Sequence, residues 1–244
     1  MVAASSDLAR INNRAVRANP HKAAMEQAVR SEFNPGRILS LRRQARALVL
    51  WLAGAVLLSA CGASTVTVEG SYPSPNIPPL PMTLGVYYSE ALRNHVYTER
   101  TDAGKDEYLV NSGSSHIELF NTVLPAMFQQ VVVLDDPATA NERGVDAVFI
   151  PNIDEFQLGM PQKTRLDSYE VWVKYNMRLT APDGGYIADW VMTAYGKTPQ
   201  ATFGSAEGGI NDAAVAAMRD LASNFSISFT SVPDVRDWLQ PRLQ

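Results

Sequence analysis

The sequence predicts an α+β domain with the element order β-α-β-β-β-β-α. The expected architecture is a mixed, mostly antiparallel sheet of about five strands carrying two main helices on one face. Three observations predict it. Residues 169–179 alternate apolar and polar side chains, the period of a strand with one buried face. Two segments, after residues 115 and 211, place apolar residues at helical spacing instead. A run of strands separates those helices, which suits helices packed on one side of an antiparallel sheet.

Each element follows from its residues. Met82 to Tyr88 is rich in apolar and aromatic side chains and reads as the first strand of the domain. Asn94 to Ser114 is polar, with Gly104 and Gly113, and reads as a long loop or an irregular hairpin. Ser115, with Glu118 three residues on, matches a capping box. Ile117, Phe120, Val123, Leu124, Met127 and Phe128 follow at helical spacing. Pro125 lacks an N–H and clashes one turn back, so a kink or an early end is expected there. Val131 to Leu134 is a short buried strand, and Thr139 to Gly144 a turn or one helical turn. Asp146 to Ile150 is the next strand, extending past Pro151 to Phe156 as an edge or a bulge.

Tyr169, Val171, Val173, Tyr175, Met177 and Leu179 then share the apolar face of a hairpin arm. Trp172 alone breaks its polar face, which otherwise carries Glu170, Lys174, Asn176 and Arg178. Pro182-Asp183-Gly184-Gly185 is a turn, and Tyr186 to Tyr195 returns with Ala188, Trp190, Met192 and Ala194 on one side. Gly204 to Gly209 reads as a mobile loop, and Asn211 as the cap of the last long helix. That helix buries Ala214, Val215, Met218, Leu221, Ala222, Phe225 and Phe229, with an end expected to fray at Ser226 to Ser228. A short terminal helix starts at Val232-Pro233-Asp234.

The 244-residue chain has a formal net charge of -4, but that average hides a partition. Residues 1–60 hold nine basic and three acidic residues, a charge of +6; the rest hold 12 basic and 22 acidic, a charge of -10. Such a break separates a targeting segment from a mature protein. The mild overall acidity gives no electrostatic reason to expect a nucleic-acid partner. The basic patch Arg42-Arg43-Gln44-Ala45-Arg46 precedes fourteen uncharged residues, Ala47 to Ala60. As a helix they span about 21 Å, short of the roughly 30 Å of a bilayer core. The length suits the apolar region of a signal peptide.

That run ends in Leu58-Ser59-Ala60-Cys61-Gly62, and Cys61 is the single cysteine of the chain. One Cys excludes an internal disulfide and any multi-Cys metal site. Leu58-Ser59-Ala60-Cys61 resembles the lipobox of bacterial lipoproteins. The alternative is an ordinary buried Cys behind a hydrophobic helix. The resemblance implies cleavage after Ala60, diacylglycerol on the Cys61 thiol and an acyl chain on the new N-terminus. No other cofactor is expected. With several acyl chains the anchor is stable, since each buried CH₂ contributes about 0.8 kcal/mol. By similarity to the enterobacterial sorting pattern, Gly62 in place of Asp implies an outer-membrane, periplasm-facing location rather than the inner membrane.

These features divide the chain into four parts. Residues 1–36 are polar and precede the signal peptide, as a start codon placed too far upstream or a cytoplasmic extension would. Residues 37–60 form the signal peptide. Residues 61–81 form a tether, with Pro73, Pro75, Pro78, Pro79 and Pro81 favouring an extended polyproline conformation. A Pro-rich strand packed on the domain is the alternative. Residues 82–244 form a single periplasmic domain. Its element order resembles small periplasm-facing lipoproteins, among them the LPS-assembly lipoprotein, YajG-like lipoproteins and the auxiliary lipoproteins of ABC transporters.

Catalysis needs groups that titrate or attack. His95 falls in a polar loop and His116 in the first turn of a helix, where solvated side chains are expected. No nucleophile elbow, zinc-protease helix, phosphate loop or calcium loop is present. Asp135-Asp136 and Asp154-Glu155 are neighbours on strands, so each pair points to opposite faces. No catalytic residue or metal site is assigned, and the chain is expected not to be an enzyme. A periplasmic hydrolase remains the remote alternative. Trp172, with Lys174 and Arg178 beside it, is the candidate partner-binding surface, since Trp is enriched at interfaces. The expected function is binding of another envelope component, protein or lipid. Service as an accessory lipoprotein of an ABC-type lipid or LPS transport system is the alternative.

Overall fold

The computed structural model describes residues 63–101, 107–201 and 203–242. In chain order, β1 (Ser64–Thr67) and β2 (Leu80–Tyr87) come first, then the single turn α1 (Glu90–Arg93). Next are β3 (Val96–Arg100), β4 (Glu107–Asn111), α2 (Gly113–Met127) and β5 (Phe128–Leu134). β6 (Ala147–Gly159), the short α3 (Pro161–Thr164), β7 (Ser168–Thr180) and β8 (Tyr186–Pro199) follow. The chain closes with α4 (Ala206–Ser228) and α5 (Pro233–Leu239).

The expected α+β class holds, with the strands divided between two mixed sheets. The larger has the order β5-β2-β6-β7-β8 and the smaller β1-β4-β3. β2 pairs in parallel with both β5 and β6, whereas β6, β7 and β8 are antiparallel. The alternation read from β7 fixes its faces. Val171, Val173, Tyr175, Met177 and Leu179 lie in the core, and Ala188 and Ala194 of β8 join them. The turn between these arms is closed by Asp183, whose Oδ1 accepts from the Gly185 N–H at 2.9 Å. Gly184 there has φ +86, a left-handed conformation that suits glycine.

α2 and α4 cover the inner face of the large sheet. Phe120 of α2 meets Phe149 of β6 and Phe225 of α4, with ring centroids 5.5 and 6.0 Å apart. α4 lies close on the sheet because its contact stripe includes Ala213 and Ala217. At Gly196 of β8 a Cβ would stand 2.0 Å from the Ala213 carbonyl oxygen.

Several element bounds differ from expectation. α2 begins at Gly113 rather than at Ser115 and ends at Met127, two residues past Pro125, whereupon β5 starts. Ser205, not Asn211, caps α4: its Oγ accepts from Gly208 N–H at 3.0 Å. Gly208 and Gly209 therefore lie in the helix, not in a loop. Where fraying was expected α4 is helical through Ser228, and the Ser226 and Ser228 hydroxyls bond back to the Ala222 and Asn224 carbonyls.

The largest correction concerns the tether. β1 pairs in parallel with β4, and Val66, Val68 and Tyr72 are buried. Tyr72 meets α4, its hydroxyl donating to Met218 Sδ at 3.0 Å, and Glu69 N–H donates to Asn211 Oδ1 at 2.9 Å. The folded domain thus takes in residues 64–72 and begins again with β2 at Leu80.

Candidate functional site

The outer face of the large sheet has two unequal parts. Toward β5 and β2, the loop of residues 135–146 covers it: Ala140 and Val145 pack with Leu134 and Val148. Over β6, β7 and β8 the face is open. β7 presents Trp172, Lys174, Asn176 and Arg178 outward, opposite Tyr195, Thr193, Val191 and Asp189 of β8. The β6 partners are Gln157, Glu155, Asn152 and Ile150.

At one end of this face Trp172 and Tyr195 pair across the strands, with centroids 4.9 Å apart and planes inclined by 38°. Each is 40% exposed although together they form a large aromatic surface. Beside them lies a shallow depression of about 250 Å³, lined by Glu155, Gln157, Trp172, Val173, Lys174 and Thr193. Gln157 donates to Glu155, which leaves an ordered polar rim around the aromatic floor. Aromatic area with a hydrogen-bonding rim is the anatomy of a protein-binding patch.

Trp172 and Lys174 thus share one depression, but Arg178 does not. It lies six residues farther along β7, roughly 20 Å away. There its guanidinium forms a two-pronged ion pair with Asp189, at 2.9 and 3.2 Å. Lys174 lies 3.7 Å from Asp154, a loose surface pair that leaves its ammonium in water. Of the three expected residues, Trp172 and Lys174 form one site, and Arg178 belongs to a separate surface ion pair.

Both histidines depart from expectation. His116 lies four residues before Phe120 and seven before Val123, on the core face of α2, and is fully buried. Its Nδ1 lies 2.8 Å from the Tyr175 hydroxyl and its Nε2 3.1 Å from Ser112 Oγ. His95, half-buried rather than solvated, reaches the same Ser112 Oγ through Nδ1 at 2.7 Å. Burial, with a smaller effect of nearby His95, pushes His116 down to about 3. Burial also lowers His95 and raises Tyr175 well above its ordinary value. Tyr175, His116, Ser112 and His95 thus form one hydrogen-bonded chain from the core toward the surface. Serine and histidine meet in it, but Ser112 is itself fully buried. Among the described residues no group of three or more His, Cys, Asp or Glu is placed to hold a metal ion.

The lipobox-like Leu58, Ser59, Ala60, Cys61 and Gly62 lie outside the described residues. Among those described, no helix is long and apolar enough to cross a membrane. β1 begins two residues beyond Gly62, and Ser64 donates to Glu207 in the first turn of α4. The Glu207 backbone N–H and the Ser64 hydroxyl hold that carboxyl below its ordinary range.

No family model matches the sequence, and no curated protein is significantly similar to it. Among solved structures the chain has similarities at low identity and low TM-score. A Xanthomonas campestris protein of the DUF330 family is 12% identical, with a TM-score of 0.45, over 73% of this chain and 98% of that one. A minor lipoprotein from Acinetobacter baumannii is 12% identical, with a TM-score of 0.38, over 63% and 94%. The uncharacterized lipoprotein B from Nitrosomonas europaea is 14% identical, with a TM-score of 0.32, over 69% and 97%.

Proposed function

We propose that the chain is a cell-envelope lipoprotein, held to the outer membrane by acyl chains on Cys61. Its α+β domain binds a second envelope component, a protein, rather than catalysing a reaction. The observation that carries the binding reading is the Trp172–Tyr195 pair, which keeps a large aromatic surface in water on the open sheet face. Burying such a pair in an interface removes apolar area from water, at about 25 cal/mol per Å². Lys174, Glu155 and Gln157 around it supply direction and selectivity. The lipobox resemblance of Leu58-Ser59-Ala60-Cys61 supports the anchor, and Gly62 supports the outer membrane.

One experiment in intact cells tests both halves. Labelled palmitate should enter the wild-type chain and be absent from Cys61→Ser. Crosslinking of the same cells should yield a partner adduct that Trp172→Ala loses while its thermal melt is unchanged. Equal palmitate labelling of both chains removes the anchor. An undiminished adduct in Trp172→Ala removes the docking site.

A further inference from the structure

Three segments meet at one end of the domain. Ser168, the first residue of β7, pairs with Pro199, the last of β8, and Gln200 N–H donates to the Asp167 carbonyl at 2.9 Å. The turn at Arg165–Leu166 and the loop that enters α4 are therefore side by side. α4 starts from that loop, and its Glu207 meets Ser64 at the start of β1. On the other side Lys163 of α3 forms an ion pair with Glu99 of β3. Glu99 pairs with Tyr108, and Tyr108 pairs with Ser64.

This end carries apolar side chains that the fold does not use. Phe203 is fully exposed and Leu166 is nearly half exposed, next to the exposed Arg165. Single exposed hydrophobes are ordinary; what distinguishes these is their place. Ser64 is three residues from Cys61, and three residues of chain reach at most about 11 Å. An acylated Cys61 therefore brings this end, and no other, to the lipid surface. The opposite turn at 182–185 lies about 40 Å away along β7.

We propose that Phe203 and Leu166 form a tip that enters the bilayer interface beside the anchor, with Arg165 placed to meet lipid phosphates. The proposal rests on the Cys61 anchor. Its occupant is the membrane that holds the acyl chains. Aromatic and aliphatic side chains buried to the headgroup boundary, with a cation beside them, are how peripheral proteins add to a lipid anchor. The tip would fix the orientation of the domain, with the β7–β8 strands rising from the membrane.

A fluorescence experiment on the complete chain tests this. With Cys61 acylated, a new cysteine offers a unique thiol for an environment-sensitive nitrobenzoxadiazole label. The variants are Phe203→Cys, Leu166→Cys and, as the distal position, Asp183→Cys, all at exposed sites. The labelled proteins are reconstituted into phosphatidylethanolamine–phosphatidylglycerol vesicles. Labels at 203 and 166 should shift to the blue and be quenched by acyl-brominated lipid, while that at 183 does neither. If palmitate enters the chain yet labels at 203 and 166 emit like that at 183, the tip fails and the anchor stands. If palmitate does not enter, the anchor falls and takes the tip with it.

Discussion

An imidazole with no exposed surface has no water to stabilise a second proton. His116 is in that position, and it also holds Tyr175 and Ser112 through its two ring nitrogens. Its folded value of about 3 lies below the roughly 6.5 of an unfolded chain. Between those values the unfolded chain binds a proton that the folded one refuses, so stability rises with pH. It is fully present above about pH 6.5 and is lost as pH falls toward 3. From this group alone the domain should be about 2 kcal/mol less stable at pH 5 than at pH 7. Thermal melts at both values should show a steeper loss in wild type than in His116→Gln; equal slopes would remove His116 as the cause. His116 stands four residues before Phe120 and seven before Val123, so helical spacing places it on the apolar stripe of α2; its place in the first turn had pointed to solvent instead. Trp172 was legible because strand alternation has period two, and a side chain that breaks it must face outward.

At the scale of elements, the long strands and helices were legible because each carries its own period over ten or more residues. Close approach between elements was not, because it depends on two distant positions at once. Gly196 reads as a weak strand residue, yet it is where α4 rests on β8. Gly196→Ala should lower stability by about 3 kcal/mol, since the added carbon meets backbone rather than a side chain that can turn away. Urea unfolding measures it, and a loss near zero would mean that the helix can shift without cost. β1 was missed for a related reason. Four residues with a single buried side chain, Val66, carry little pattern, and only pairing with β4 makes them a strand.

At the scale of the whole molecule, the α+β class and the shared helix face followed from element order, whereas the second sheet did not. The sheet β1-β4-β3 joins a segment before the expected domain to one read as a long loop or an irregular hairpin; β3 and β4 form that hairpin, but no local signal connects it to β1. The domain boundary moves accordingly. A chain starting at residue 82 would lack Val66, Val68 and Tyr72 and leave core surface bare. Each is worth about 2 kcal/mol of burial, so such a chain should melt well below one starting at residue 63. Equal melting temperatures would restore a free tether. The parallel pairing of β1 with β4 has a mechanical side as well. On the proposed Cys61 anchor, a pull directed along the axis of β1 would reach that strand at Ser64. Its backbone bonds to β4 then bear the load together, in shear, instead of parting one after another.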